Sequence, residues 1–157
     1  MDLVGKTTIN PLVFYTGKIS GYVTWIVLLL DILGVELFDK HFIYYNNYVA
    51  EIMFIIGFLL SIISVLNLGN STRLGLPSSE TSLKTKGLYK ISRNPMYVGF
   101  NLITIASMIY TLNWIIVILG VYTLITYHLI IKGEEKFLTY RFGDDYIAYT
   151  KKVRRYL

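Results

Sequence analysis

Residues 94–131 read NPMYVGFNLITIASMIYTLNWIIVILGVYTLITYHLII, 38 consecutive positions without a single Asp, Glu, Lys or Arg. At about 1.5 Å per residue, one helix over this stretch would be about 57 Å long, nearly twice a hydrocarbon core of about 30 Å. The chain is therefore predicted to fold back on itself as a helical hairpin, turning at Thr111-Leu112-Asn113-Trp114. The two helices are expected near 96–111 and 114–131, the first of them short.

Upstream, Ile52 to Thr72 is again free of charge, and Ile19 to Phe38 is apolar but carries Asp31 and Glu36. These give two further spans, near 20–38 and 49–68, with Lys18 at the edge of the first. Of 157 residues, 54% are hydrophobic and 16% charged, and mean hydropathy is +0.53, which excludes a soluble globule. The expectation is an all-α integral membrane protein with about four transmembrane helices, a single domain over 1–157.

Lysine and arginine in short loops set orientation. With four spans, residues 1–18, 69–95 and 132–157 share one side and hold 14 of the 15 Lys and Arg, leaving Lys40 on the other. Both termini are thus expected in the cytoplasm, with Tyr44, Tyr45, Tyr48 and Trp114 as an outer aromatic belt. The net charge of +5 reads as topology signal and attraction to anionic lipid, and no nucleic-acid partner is expected. Without cysteine there is no thiolate site. His41 and His128 lack companion ligands at metal spacing, so no metal is expected. No removable signal peptide is read at the N-terminus.

Asn10-Pro11 reads as a turn, with Leu12-Val13-Phe14-Tyr15 lying in the interface. The segment from Asn67 to Ser92 is rich in turn formers, yet longer than a connection requires, which marks it as functional. After Ile131, apolar residues recur at helical spacing, with Gly143 as a C-cap and Asp144 as the next start. Two short amphipathic helices should cover the cytoplasmic face as a lid.

Asp31 and Glu36 are costly inside a span and are functional candidates for that reason. Pro95 suits a helix start, whose free N–H groups favour an anion, and Arg93 adds a bidentate contact for carboxylate or phosphate. Glu134-Glu135 places two acids where topology favours bases. An arginine and an acid converging at the membrane surface would suit a zwitterion carrying a carboxylate and an ammonium.

The series Lys86-Gly87-Leu88-Tyr89, Arg93-Asn94-Pro95-Met96-Tyr97-Val98-Gly99, Glu134-Glu135 with Leu138, and Phe142-Gly143-Asp144-Asp145-Tyr146 with Tyr149 resembles the isoprenylcysteine carboxyl methyltransferase family of integral membrane enzymes. The likeness covers roughly 70–157. It implies S-adenosylmethionine as cofactor, bound from the cytosol, and a lipophilic small molecule, lipid or lipidated acceptor entering from the bilayer. Carried over, the cofactor contacts are Thr81, Ser82, Leu83, Lys84, Tyr89, Asn94, Pro95, Met96, Tyr97 and Glu134, with Arg93 beside them. The chain departs from the family's prenylprotein enzymes at Asn94, where they have histidine, and at Ile130, where they have the arginine that holds the substrate carboxylate. Lys132 and His128 are the candidates to replace that arginine. His128 and Glu135 are the candidate bases for an amine or hydroxyl acceptor. Two other readings stay open: an NADPH-dependent sterol or steroid reductase, whose C-terminal half is similar to this family, and a non-enzymatic four-helix membrane protein.

Overall fold

The computed structural model describes residues 7–35, 37–38, 45–68 and 82–157. Glu36, Lys40, His41, Tyr44 and residues 69–81, which include Thr81 and make up half of the Asn67–Ser92 segment, fall outside the described residues. Four α-helices follow in order: α1 (Pro11–Ile32), α2 (Tyr45–Leu68), α3 (Pro95–Thr111) and α4 (Trp114–Lys152), with a 3-10 turn at Gly87–Lys90 before α3. Among the described residues there is no strand, only an isolated parallel bridge between Ser92 and Arg154. α1, α2 and α4 are each long and apolar enough to cross a membrane. α3 has 17 residues, at the short end of the roughly 17–25 that a crossing takes.

The hairpin forms where the charge-free run demanded it. Pro95 occupies the first turn of α3. Leu112 turns left-handed at φ 44°, and the Asn113 side chain accepts from Ile115 N at 2.9 Å to cap α4.

The bounds of two helices, α1 and α4, correct the expectation. α1 begins at Pro11, nine residues before the expected 20, because Asn10 caps it, accepting from Leu12 N at 2.9 Å, and proline suits the position that follows. It ends at Ile32 rather than 38 because Gly34, at φ 84°, closes it. Gly34 N donates to Asp31 O and Val35 N to Leu30 O, the paired bonds of a Schellman end. The expected separate helix after Ile131 does not exist: α4 runs on through 132–142, since Glu134, Glu135 and Lys136 are good helix formers and nothing there stops it. The break comes at Gly143, at φ 50° and ψ −125°, where the helical axis turns. The apolar part of α4 is the charge-free Trp114 to Ile131; the rest emerges beyond it.

α3 sits between the other three helices, touching each. Its approach to α2 is set by two glycines: a Cβ on Gly57 would lie 2.7 Å from Gly99 O, and one on Gly99 would lie 2.5 Å from Gly57 O. α1 is stitched to its neighbours by side-chain hydrogen bonds. Ser20 Oγ donates to Leu119 O at 2.8 Å, Trp25 Nε1 to Thr104 Oγ1 at 2.9 Å and Ser107 Oγ to Thr24 O at 2.7 Å, the small-residue and polar contacts that join helices where lipid removes the hydrophobic driving force. Gly99→Val should lower stability by about 3 kcal/mol, the upper end for overpacking, because the obstructing atoms include backbone that cannot move aside. Thermal unfolding in detergent measures this, and an unchanged midpoint contradicts the close approach.

α1 and α2 flank α3 without closing on each other. Between them lies an almost wholly apolar groove of about 800 Å³, lined by Tyr22, Trp25 and Leu29 of α1, Phe58 and Ile62 of α2 and Phe100 of α3.

Candidate functional site

The start of α3, the polar continuation of α4 and the C-terminal residues meet at one end of the bundle. Consecutive glutamates on α4 diverge there. Glu135 is gripped by two guanidinium groups: Arg93 Nη2 donates to Oε1 at 2.9 Å and Arg155 Nη2 to Oε2 at 2.7 Å, each arginine adding its Nε. Asn94 Nδ2 reaches the same carboxylate at 3.3 Å and Arg155 O at 3.2 Å. Burial pushes the Glu135 carboxyl up, but hydrogen bonds from Arg155 and Arg93 outweigh it and hold the group below its ordinary range.

Arg93 also donates through Nη1 to the carbonyls of Thr150 and Val153, both at 3.2 Å, capping the last turn of α4 with positive charge. Its backbone N donates to Arg154 O at 2.9 Å, and Ser92 Oγ to Arg155 O at 3.3 Å. Tyr149 OH donates to Tyr89 O at 2.6 Å. Tyr146, Tyr149 and Val153 pack with Leu83, Leu138 and Phe142. The residues after Gly143 are thereby clasped over the entrance to α3.

Glu134 faces inward instead. Its Oε1 accepts from Tyr97 OH at 2.8 Å, and its second oxygen has no partner among the described residues. Burial, the dominant cause, pushes its carboxyl up to about 7, against the lowering effects of the Tyr97 hydrogen bond and the Lys18 charge. Tyr97 is 5% exposed and stands in a buried cluster with Phe14, Tyr127, Ile130 and Ile131. Its ring meets Phe100 edge-on at 6.0 Å, and Phe100 also lines the groove, so the carboxylate and the apolar groove are separated by two aromatic rings.

Of the residues singled out in the sequence, Tyr97 and Glu134 are brought into contact, and Arg93, Asn94 and Glu135 form one hydrogen-bonded group. Pro95 is buried and Met96 borders the Tyr97 cluster. Tyr89 is buried under Tyr149, Leu83 packs in the C-terminal cluster, Lys84 is half-buried and Ser82 exposed; Thr81 lies outside the described residues. His128 Nδ1 shares a 2.7 Å hydrogen bond with Tyr156 OH, and Lys132 is exposed. Asp31 is buried at the opposite end of α1 from this site. Arg155 and Tyr156 were not singled out: in sequence they are the tail of a basic terminus, and no spacing rule links Arg155 to a glutamate 20 positions earlier.

Apolar helices with a carboxylate and phenol cluster at one end define a multi-pass membrane protein whose polar chemistry sits at the edge of the apolar layer. Residues 45–145 match the family model of the phospholipid methyltransferases. The chain belongs to that family of membrane methyltransferases, which is related to the isoprenylcysteine carboxyl methyltransferases. No curated protein matches the chain.

Proposed function

We propose that the protein transfers a methyl group from S-adenosylmethionine to a membrane-resident lipophilic acceptor, with both termini and the site on the cytoplasmic side and the whole chain acting as one domain. The observation that carries this reading is the Tyr97–Glu134 pair, which two aromatic rings separate from an apolar groove. The donor set fits the cofactor. Glu134 has one carboxylate oxygen to offer an ammonium, and the half-buried Lys84 can take a carboxylate. Tyr89, Pro95 and Met96 supply apolar and aromatic walls, with Ser82 and Leu83 proposed beside them; Thr81, proposed with them from the sequence, lies outside the described residues. When bound, the cofactor would supply an electrophilic methyl on a sulfonium, whose displacement by the acceptor would leave S-adenosylhomocysteine.

The chain's own contribution is positioning and exclusion of water. In-line placement can lower such a barrier by roughly 7–11 kcal/mol at best. Tyr97 orients the Glu134 carboxylate, and the clasp of Arg93, Glu135 and Arg155 holds the C-terminal segment closed over the site. A carboxylate acceptor needs no base. For an amine or hydroxyl acceptor, Glu135 is a poor base while two guanidinium groups hold it ionised, and His128 would first have to leave Tyr156. The reductase reading draws no support from Arg93 and Arg155, because both are already committed to Glu135 rather than available for an additional phosphate.

Binding of S-adenosylhomocysteine, which shares the amino-acid end, should depend on pH. Only ionised Glu134 attracts the ammonium, so affinity is full well above about 7 and weakens as pH falls through about 7, approaching tenfold per unit. Lys18, Tyr97 and Tyr89 are the titratable groups that face it. Affinity that stays flat from about pH 8 to about pH 5.5 contradicts the assignment. The activity itself is tested by incubating membranes containing the protein with radiolabelled methyl donor. Label should enter the lipid fraction, and release by mild base would identify a methyl ester; no incorporation above membranes lacking the protein contradicts methyl transfer.

A further inference from the structure

Four aromatic rings stand where the groove between α1 and α2 approaches the Tyr97–Glu134 pair. Phe100 is at their centre: its ring lies 5.0 Å from that of Trp25, 5.9 Å from that of Tyr127 and 6.0 Å from that of Tyr97. Phe100 and Trp25 line the groove, and further along it the lining residues Ile26, Leu29, Phe58 and Ile62 are exposed, so the groove opens outward between the two helices. Tyr97 and Tyr127 belong to the buried cluster from which Tyr97 reaches Glu134.

Three of the four rings are held. Trp25 Nε1 donates to Thr104 Oγ1 at 2.9 Å, and Tyr97 OH donates to Glu134 Oε1 at 2.8 Å. The Tyr127 hydroxyl is pressed against α1 at Gly21, where an added Cβ would lie 2.9 Å from it. Phe100 has no polar atom to tether its ring and is only half-buried. The backbone beside it is fixed, because Gly99 packs so closely on α2 that an added Cβ would lie 2.5 Å from Gly57 O. A passage from the groove to Tyr97 therefore opens by rotation of the Phe100 side chain, and a helix leaves an aromatic residue two χ1 settings, near 180° and −60°. We infer that Phe100 is a specificity-determining gate: its ring closes the way from the groove to the Tyr97–Glu134 pair, and its rotation sets the width of the apolar group that passes. The inference rests on the methyl-transfer reading and adds to it the residue that selects an acceptor by cross-section.

The test uses the full chain in lipid nanodiscs and two photoreactive diazirine probes dissolved in the bilayer, one on a slender straight alkyl chain and one on a bulky adamantane cage. Both should label the groove residues of α1 and α2. At Tyr97 and Glu134 the slender probe should label about tenfold more than the bulky one, the factor implied by forcing the wider group against packed rings. Phe100→Ala should abolish that discrimination and Phe100→Leu should reduce it, with thermal midpoints reporting folding; if the alanine variant does not fold, the leucine variant decides. Phe58→Ala, which trims the α2 wall of the groove, should leave the discrimination intact. Equal labelling of Tyr97 and Glu134 by both probes in the unaltered protein, or labelling there by neither, overturns the inference. So does discrimination that is undiminished in the Phe100 variants, or lost to the same degree in Phe58→Ala, which would report loosened packing only. Discrimination in a protein that binds no S-adenosylhomocysteine would overturn the methyl-transfer reading and leave Phe100 as a barrier between groove and carboxylate. Binding of S-adenosylhomocysteine without discrimination would overturn this inference alone.

Discussion

Glu135→Ala is expected to release the C-terminal segment from the start of α3. In the folded protein the Glu135 and Arg93 side chains are only 12% and 11% exposed, and removing one partner of a buried, hydrogen-bonded pair costs about 3–5 kcal/mol because the other charge is left uncompensated. Arg155, at 35% side-chain exposure, adds less, since solvent screens it. The loss falls on a small unit: residues 149–156 are tied down chiefly through Arg93, Ser92, Tyr89 and His128. Hydrogen exchange in detergent should therefore show protection lost at the end of α4 and in residues 153–156, while α1 to α3 stay protected. Glu135→Gln, which keeps an acceptor for one arginine, should lose less. Unchanged protection in Glu135→Ala would mean that the double-arginine grip does not hold the segment.

Glu134→Gln is expected to act on binding rather than on architecture. The amide keeps the size of the side chain and an acceptor for Tyr97 OH but loses the charge offered to an ammonium. A hydrogen bond to a charged group contributes about 1.5–3 kcal/mol, which at about 1.4 kcal/mol per decade is roughly 10- to 150-fold in affinity. S-adenosylhomocysteine should bind that much more weakly, and the dependence of affinity on pH near 7 should vanish with the titrating group. A weakened affinity that keeps its pH dependence would place the ammonium on another acid. Tyr97→Phe should show a smaller loss, because it removes the hydrogen bond that orients the carboxylate and leaves the charge in place.

Adjacent glutamates with opposite surroundings illustrate what the sequence could and could not convey. The hairpin was legible because a charge-free run of that length permits no other arrangement in a bilayer, and its turn was marked by Asn113. The importance of Arg93-Asn94-Pro95 and of Glu134-Glu135 was legible too, as polar residues against the grain of their surroundings. Their pairing was not. Arg93 reads as an anchor for an anionic ligand, yet in the structure its guanidinium is spent on Glu135 and on two carbonyls of α4. That outcome depends on the reversed backbone at Gly143, which brings the C-terminal residues back toward Ser92. The same residue also hid the continuity of α4, since a glycine stop at 143 suggested an amphipathic helix beginning at 132. The early start of α1 was written in Asn10-Pro11, a cap followed by a first-turn proline, but the same dipeptide serves equally as a turn. Lys18 drew notice only as the edge of a span, because its approach to Glu134 exists only once α1 packs against α4.

The methyl-transfer reading of this membrane protein stands or falls with S-adenosylmethionine binding at a site built on Tyr97 and Glu134. Calorimetric titration of the detergent-purified chain with S-adenosylhomocysteine, and separately with NADPH, tests it most directly. Saturable micromolar binding of S-adenosylhomocysteine is expected, with none of NADPH, and with loss of the signal in folded Tyr97→Ala and Glu134→Ala variants. Binding of NADPH in its place, no binding of S-adenosylhomocysteine, or affinity unchanged in both variants would contradict the account.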